Sequence, residues 1–558
     1  MAGKYVLGLD YGTESARALL VAVETGEEVA TAVAPYRHGV IDKTLPGNRT
    51  HLPPEWALQD PEDYLAALDT IVPDVLRAGG VAPEAVIGIG VDFTACTMLP
   101  IDAQGTPLCA HDAWRTNPHA WVKLWQRHAA APQAERITRV ALERDETFLA
   151  RYGGIISSEW FLPKLLHTLE EAPDVYDAAD RFIEAADWVV LQLTGEEKRN
   201  ACCAGYKGLY GDDGYPSPDY LEALDPRLTH LVGTKVHPDV HPVGVRAGGL
   251  QPAMAQRLGL PAGTAVSTAI IDAHAGVPAC ATTGPGEMVI IMGTSFCHMV
   301  CDAAEQHIPG VAGVVRDGIL PGLYGYEAGQ AAGGDLYAWF VERCVPASTH
   351  EAARAAGTNV HRYLSAEAAR LPVGASGLVF LDWWNGNRSV LVNPELSGLM
   401  CGMTLATTPA EQYRAALEST AYGTYKIIQE MERGGVRIEG LKACGGLPNH
   451  NPLCMQIFAD VTGRPIEVAA SEQTVALGAA MWGAVAAGAS AGGYDDVRDA
   501  AAKMARLKPE AFTPDAERHA AYQPLYDIYL RLHDHFGRGG DACMRELKEI
   551  RRAALRTG

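Results

Sequence analysis

The chain has 558 residues, 48% apolar and 20% charged, which suits a globular protein of two domains rather than a single compact core. Its formal net charge of −21 excludes partners that need broad basic surface, so neither nucleic acid nor an anionic membrane is expected. No apolar run is long enough to cross a bilayer, and the opening MAGKYVLGLD lacks the extended apolar region of a signal peptide, so a cytoplasmic protein is expected.

The first elements are strands. VLGLDYG (Val6–Gly12) and ARALLVAV (Ala16–Val23) flank a tight turn and predict a hairpin that opens a sheet. PEDYLAALDTIVPDVLRAGG (Pro61–Gly80) has helical spacing and a Gly-Gly stop. VIGIGVDFT (Val86–Thr94) is a buried strand running into Asp92. AWVKLWQRHAA (Ala120–Ala130) and PKLLHTLEEAPDVYDAA (Pro163–Ala179) each predict a helix, and RFIEAADWVVLQLTG (Arg181–Gly195) passes from strand to helix. A Gly-, Pro- and Ala-rich stretch from Gly244 to Gly263 marks the expected junction, giving domains 1–262 and 263–558. Beyond it the opening logic repeats. TAVSTAIIDAHAG runs a strand into Asp272, and EMVIIMGTSFCHMV is a strand, a Gly-Thr-Ser turn and a second strand. In GLKACGGLPNHNPLCMQIFADVTGRPIEV (Gly440–Val468) a strand breaks at Gly445-Gly446 and a helix follows. The stretch AAYQPLYDIYLRLHDHFG (Ala520–Gly537) predicts a helix packed on the second domain.

Twelve cysteines are scattered without a CxxC, and Cys202-Cys203 are adjacent, so reduced packing residues are expected rather than a zinc site. GASAG (Gly488–Gly492) matches the esterase elbow, but it follows an Ala-rich helix where an elbow needs a strand. HPDVH (His237–His241) has prolines after both histidines, which keeps them off a shared helix face. The NRT and NRS sequons carry no meaning in a cytoplasmic chain.

Two turns of Gly, Thr and Ser stand between strands. Such turns expose backbone N–H groups and small hydroxyls, and suit phosphate oxygens. Each turn lies near an aspartate at a strand end, which favours a phosphate clamp between two lobes over two plain hairpins. No GxxxxGK[ST] sequence is present, so a P-loop is excluded.

Seven motifs in order, DYGTESAR, VDFTACTMLP, GYKGLY, IIDAHAG, MGTS, YEAGQAAGGD and CGGLPNHN, resemble those of the FGGY carbohydrate kinases over about Tyr5 to Gly488. The resemblance implies an α/β architecture of two ribonuclease-H-like domains, the actin-like ATPase fold, flanking a deep cleft. It also implies ATP with Mg²⁺, and transfer of the γ-phosphate to a sugar hydroxyl. By the same resemblance Gly12, Thr13, Ser15 and Arg17 face the phosphates, and Asp10 faces their metal. Gly293, Thr294 and Ser295 form the second phosphate turn. Gly445, Gly446 and Asn449 take the adenosine, Gln330 is assigned to the nucleotide, and Asp272 is the catalytic base. Asp92, Thr94, Ala95, Lys207, Glu327 and Asp272 are assigned to the sugar. The loop Asp92–Cys96 and the Ala273-His274 pair after the base fit family members that phosphorylate L-ribulose in L-arabinose catabolism, rather than xylulose or glycerol. A small-molecule pentulose and ATP are therefore the expected partners. A homodimer is allowed; the competing readings are a kinase for another pentulose, xylulose or D-ribulose, and, behind it, a non-kinase actin-like ATPase. A carboxylate can accept the proton of an attacking hydroxyl, and a helix N-cap is a structural role open to Asp272. Lys207, flanked by glycines, reads by itself as a solvated turn lysine.

Overall fold

The computed structural model describes residues 3–47 and 50–557, so Asn48 of the first sequon lies outside the described residues. The first sheet opens with β1 (Tyr5–Tyr11), β2 (Ser15–Ala22) and β3 (Glu28–Pro35), an antiparallel meander. Helix α1 (Pro61–Gly79) follows. Asp60 caps it by accepting from Glu62 N–H, Pro61 takes the position where no N–H is needed, and Gly80 ends it at φ 61°. β4 (Val86–Phe93) returns parallel to β1. Helix α2 (Ala201–Gly208) precedes β5 (Arg246–Gly249), β6 (Ala265–Ser267) and β7 (Ile270–Ile271), and the last two pair parallel with β4. The spatial order is β5-β6-β4-β1-β2-β3, with β7 also on β4. The sheet thus takes in strands beyond the expected junction at residue 263.

Helix α3 (Asp272–Ala279) leads into the second sheet. Its strands are β8 (Gly286–Met292), β9 (Phe296–Asp302), β10 (Gly313–Arg316) and β11 (Tyr324–Gln330), then, after helix α4 (Gly334–Arg343), β12 (Ile438–Cys444) and β13 (Ile466–Val468). The order is β10-β11-β9-β8-β12-β13, antiparallel through β8 and parallel beyond it. This repeats the pattern of β3-β2-β1-β4-β6, so both halves have the ribonuclease-H-like layout expected of them. Helices α5 (Gly446–His450) and α6 (Pro452–Thr462) follow β12.

Helix α7 (Thr474–Ala487) comes late in the chain but packs on the first sheet. It is apolar all round, as a helix buried between layers must be. The contact is backbone to backbone. A Cβ added at Gly8 of β1 would run into the carbonyl of Ala476, and Cβ atoms at Gly88 and Gly90 of β4 into those of Gly483 and Ala479. On its other side a Cβ at Gly478 would strike the Ala275 carbonyl of α3. Helix α8 (Ala516–Gly537) buries Tyr522, Tyr526 and Tyr529 against the second domain, as expected.

Two predicted helices differ. Ala120–Ala130 holds a two-residue strand, Val122–Lys123, and turns instead of a helix. The fully buried Lys123 donates from Nζ to the carbonyl of His119 at 2.6 Å, an acceptor a continuous helix would have used up. Pro163–Ala179 is broken at Ala172 into Phe161–Glu171 and Pro173–Ala178, because Pro173 cannot continue the ladder. All twelve cysteines are free. Cys344 and Cys401 are exposed, so packing does not account for those two. Among the described residues, no helix is long and apolar enough to cross a membrane.

Candidate active site

Three carboxylates stand at the carboxyl ends of neighbouring parallel strands. Register places Asp10 of β1 opposite Asp92 of β4, and Ile270 of β7 opposite Asp92, so that Asp272 follows directly. Strand ends of an open α/β sheet are where such folds place ligands. Asp10 accepts from Arg17 Nη1 at 3.0 Å. Burial nevertheless holds its carboxyl above the ordinary range. Asp92 is fully buried, and among the described residues its carboxyl is partnered by that of Asp10. Burial first, then the charges of Asp10 and Asp272, push its carboxyl far above the ordinary range. Asp92, expected at the sugar, lies against Asp10 at the strand ends. This all-oxygen group suits a hard divalent cation, whose charge would relieve the crowded acids.

Asp272 is the first residue of α3, not its cap; Ile271 holds that position. Its Oδ1 accepts from Ala273 N–H at 2.6 Å. Burial raises its carboxyl to about 7. Asp10 and Glu327 add to the rise, while the Ala273 N–H and Lys207 oppose it. A carboxylate poised there can orient a hydroxyl and take its proton at neutral pH.

The phosphate turns are open where a ligand would enter. Gly12 N–H donates to Ser15 O at 3.0 Å, and Trp125 Nε1 donates to Thr13 Oγ1 at 3.0 Å, leaving the hydroxyl free to donate. In the second turn Gly293 N–H donates to Ser295 O at 3.1 Å, while Gly293 and Thr294 lie exposed. The carbonyls of Gly293 and Thr294 accept from the first N–H groups of α4, which seats the turn on a helix N-terminus. β8 ends at Met292 and β12 at Cys444, so this turn neighbours Gly445 and Gly446. A Cβ at Gly445 would crowd Met292 O at 2.6 Å, but nothing lies within 4 Å of one at Gly446. A flat base could lie there. Asn449 Nδ2 donates back to Gly445 O at 3.1 Å and pins the loop. Gln330 is a correction. Its amide donates to Asp382 Oδ2 at 2.8 Å and Thr420 O at 2.9 Å and accepts from Thr424 Oγ1, so both amide hydrogens are spent inside the second domain.

On the sugar side Lys207 of α2 meets Glu327 of β11, at 2.9 and 2.8 Å to the two oxygens. Lys207 is buried at the end of a helix rather than solvated in a turn. Burial disfavours both charges, yet each holds the other ionised. Lys207 lies above its ordinary value and Glu327 below it. His274, neutral because burial lowers it to about 4, places Nε2 3.5 Å from Glu327 and its ring 4.4 Å from that of Tyr206. The pair joins the two halves of the chain, and Asp272 feels both charges. Thr94 is nearly buried, with its hydroxyl on that of Thr97 at 2.9 Å, so it shapes the loop rather than facing the cleft. Ala95 is the half-exposed member of that loop, and Cys96 turns at φ 45° with its carbonyl held by Lys164 Nζ at 2.8 Å. Lys164 was not singled out from the sequence, and His274 was noted there only as a member of the Ala273-His274 pair after the base. The one available signal for Lys164 was a lysine on the apolar face of PKLLHTL.

His119, His167 and Glu171 also converge closely enough to hold a metal. There Arg127 Nη2 donates to His167 Nδ1 at 2.7 Å, and Lys123 and Arg127 suppress protonation of both rings along with burial, an environment hostile to another cation.

Residues 5–278 match the model of the FGGY family of carbohydrate kinases, N-terminal domain, and residues 288–487 that of its C-terminal domain. The chain is 54% identical over 552 residues to a ribulokinase of Halalkalibacterium halodurans, covering 99% of this chain and 98% of that one. It is 47% identical over 556 residues to a ribulokinase of Mycolicibacterium smegmatis, covering 100% and 98%. Among solved structures, xylulose kinase from Rhodospirillum rubrum superposes with a TM-score of 0.78 at 25% identity, over 95% of this chain and 98% of that one.

Proposed function

The chain belongs to the FGGY family of carbohydrate kinases, with the actin-like ATPase fold, and from that premise we propose that it phosphorylates L-ribulose at the 5-hydroxyl at the expense of ATP. The near-full-length likeness to relatives described as ribulokinases supports the acceptor. The observation that carries the chemistry is the poised carboxylate of Asp272 beside the Lys207–Glu327 pair.

In this reading Lys207 and Glu327 hold sugar hydroxyls, donating and accepting from opposite halves of the chain, with the Ala95 backbone closing the pocket. Asp272 orients the attacking hydroxyl and accepts its proton as the new bond forms. The turns at Gly12–Ser15 and Gly293–Ser295 offer backbone and hydroxyl donors to the phosphates. Asp10, backed by Asp92, would hold Mg²⁺, which supplies charge neutralisation at the triphosphate. Arg17 is committed to Asp10, so its part is to steady that carboxylate. The approach of two lobes around the ligands would keep water away from the reacting phosphate. A cytoplasmic enzyme without nucleic-acid partners, and a homodimer, are proposed with this reading and rest on charge and family resemblance.

The test is ADP release with Mg-ATP across the four 2-ketopentoses, with and without a chelator. L-Ribulose should give the highest kcat/KM. Preference for xylulose or D-ribulose would move the acceptor within the same class. ATP turnover indifferent to sugar would replace the kinase with an ATPase.

A further inference from the structure

Past Glu327 the same face of β11 carries Gly329. Register pairs Gly329 with Cys297, and the next residue with Phe296, the first after the Gly293–Ser295 turn. Alternate residues of a strand share a face, so a group lying over Gly329 stands between the sugar-holding pair and the second phosphate turn. Arg388 lies there. A Cβ at position 329 would come within 3.2 Å of Arg388 Cδ and 3.5 Å of its Nη1, so the strand is bare where the arginine passes.

The segment that carries Arg388 is held firmly. Ser389 N–H donates to Gly329 O at 3.1 Å, and Gly329 N–H donates to Ser389 Oγ at 3.2 Å. Asn387 and Asn393 exchange backbone bonds of 3.0 and 2.8 Å and close the loop around it. The arginine at the centre of this clamp has no hydrogen bond and no ion pair with any described residue. The other two cations of the cleft differ. Arg17 is paired with Asp10, and Lys207 with Glu327. Burial works against the guanidinium charge, but Glu159 of the first half, Cys297 and Glu327 outweigh it, so Arg388 stays protonated.

A rigidly mounted, half-buried and unpaired guanidinium lacks only an anion. Its planar fork matches two oxygens of a phosphoryl group. We propose that Arg388 is a further catalytic residue, one that donates to the phosphoryl oxygens as the group passes from ATP to the sugar. This rests on the kinase reading above. In the step, the sugar oxygen–phosphorus bond forms. The bond from the γ-phosphorus to the bridging oxygen breaks, with its electron pair leaving on ADP. The hydroxyl proton goes to Asp272, and Arg388 keeps its protons throughout. Its role is to meet negative charge on the equatorial oxygens, where a fixed donor acts most strongly in the transition state.

Arg388→Ala and Arg388→Lys test this in the full-length protein with saturating Mg-ATP and sugar. The Ala variant should lose roughly 10²–10³-fold in kcat while the sugar KM stays within about threefold. Added guanidinium chloride at low millimolar concentration should restore part of that loss. The Lys variant keeps a charge and a long stem, so its melting temperature should match the wild type. Its kcat should still fall at least about tenfold, since an ammonium cannot fork. Inhibition by ADP with aluminium fluoride should weaken in both variants more than inhibition by ADP. The proposal is overturned if both variants keep kcat within about twofold, or if the loss appears only in the sugar KM, which would make Arg388 a sugar contact. If the Ala variant does not fold, the Lys variant decides. Absence of sugar-dependent ADP release in the wild type would instead bring down the kinase reading itself.

Discussion

Asp272→Asn should separate activity from stability, and pH exposes both. Burial holds the Asp272 carboxyl at about 7 instead of the ordinary 3.8. A base acts only when unprotonated, so kcat/KM of the wild type should rise about tenfold per pH unit below 7 and level off above it. At pH 6 roughly a tenth of the molecules carry the base form. The folded value lies above the unfolded one. The folded state therefore binds this proton more tightly, and the stability it confers below about pH 4 is lost as pH rises through 7. At about 1.4 kcal/mol per pH unit the displacement corresponds to ~4 kcal/mol, which partial exposure to the cleft screens to on the order of 2 kcal/mol. Asparagine is close in shape and has no charge to bury. The variant should melt above the wild type at pH 8, and the difference should close toward pH 4. Its kcat should fall on the order of 10²–10⁴-fold. Coupled ADP release and scanning calorimetry at matched pH measure the two effects. A variant with near-normal turnover, or a wild-type kcat/KM that is flat from pH 5.5 to 8, would refute the assignment of Asp272 as base.

Lys207→Met should raise the sugar KM by roughly 10–100-fold and the ATP KM far less, since a charge-assisted hydrogen bond is worth about 1.5–3 kcal/mol. It should also lower stability by about 3–5 kcal/mol by stranding Glu327, and Lys207→Met with Glu327→Gln should recover the melting temperature without the KM. Gly90→Ala drives a Cβ into the Ala479 carbonyl and should yield little folded protein, whereas Gly446→Ala meets nothing within 4 Å, so it should fold normally and raise the ATP KM; soluble yield, melting and kinetics distinguish the two. Sugar and a non-hydrolysable nucleotide together should reduce the radius of gyration in small-angle scattering, and ATP hydrolysis without sugar should stay slow; identical curves with brisk hydrolysis would dismiss closure as the gate.

The duplicated sheets were legible because their signals are local. A glycine-threonine turn between two apolar runs specifies a hairpin, and Asp10, Asp92 and Asp272 each close such a run. What failed were features decided by neighbours distant in sequence. Trp121, Leu124 and Trp125 have helical spacing, but a segment buried from several sides shows the same pattern without a helix. Gly205 and Gly208 made Lys207 look like a turn residue, yet Gly205 is small because the Val315 side chain occupies the space of its Cβ. Gln330 and Glu327 share a strand and a motif, but three residues along a strand reverses the face, so one looks into the cleft and the other into the core. Arg388 left no trace in the sequence, since its position depends on a clamp to Gly329.

The seam between α7 and the first sheet also has a consequence in time. β1 and β4 leave the ribosome early, but the helix that covers Gly8, Gly88 and Gly90 ends only at Ala487. At about 5–20 residues per second, the interval between the synthesis of Phe93 and that of Ala487 is roughly 20–80 s. Through that interval one face of the first sheet is a strip of bare backbone and small apolar residues with no partner. A chain released anywhere between the junction and Ala487 keeps that strip uncovered. Ribosome stalling in this window should therefore yield aggregation-prone fragments, whereas stalling after Ala487 should not.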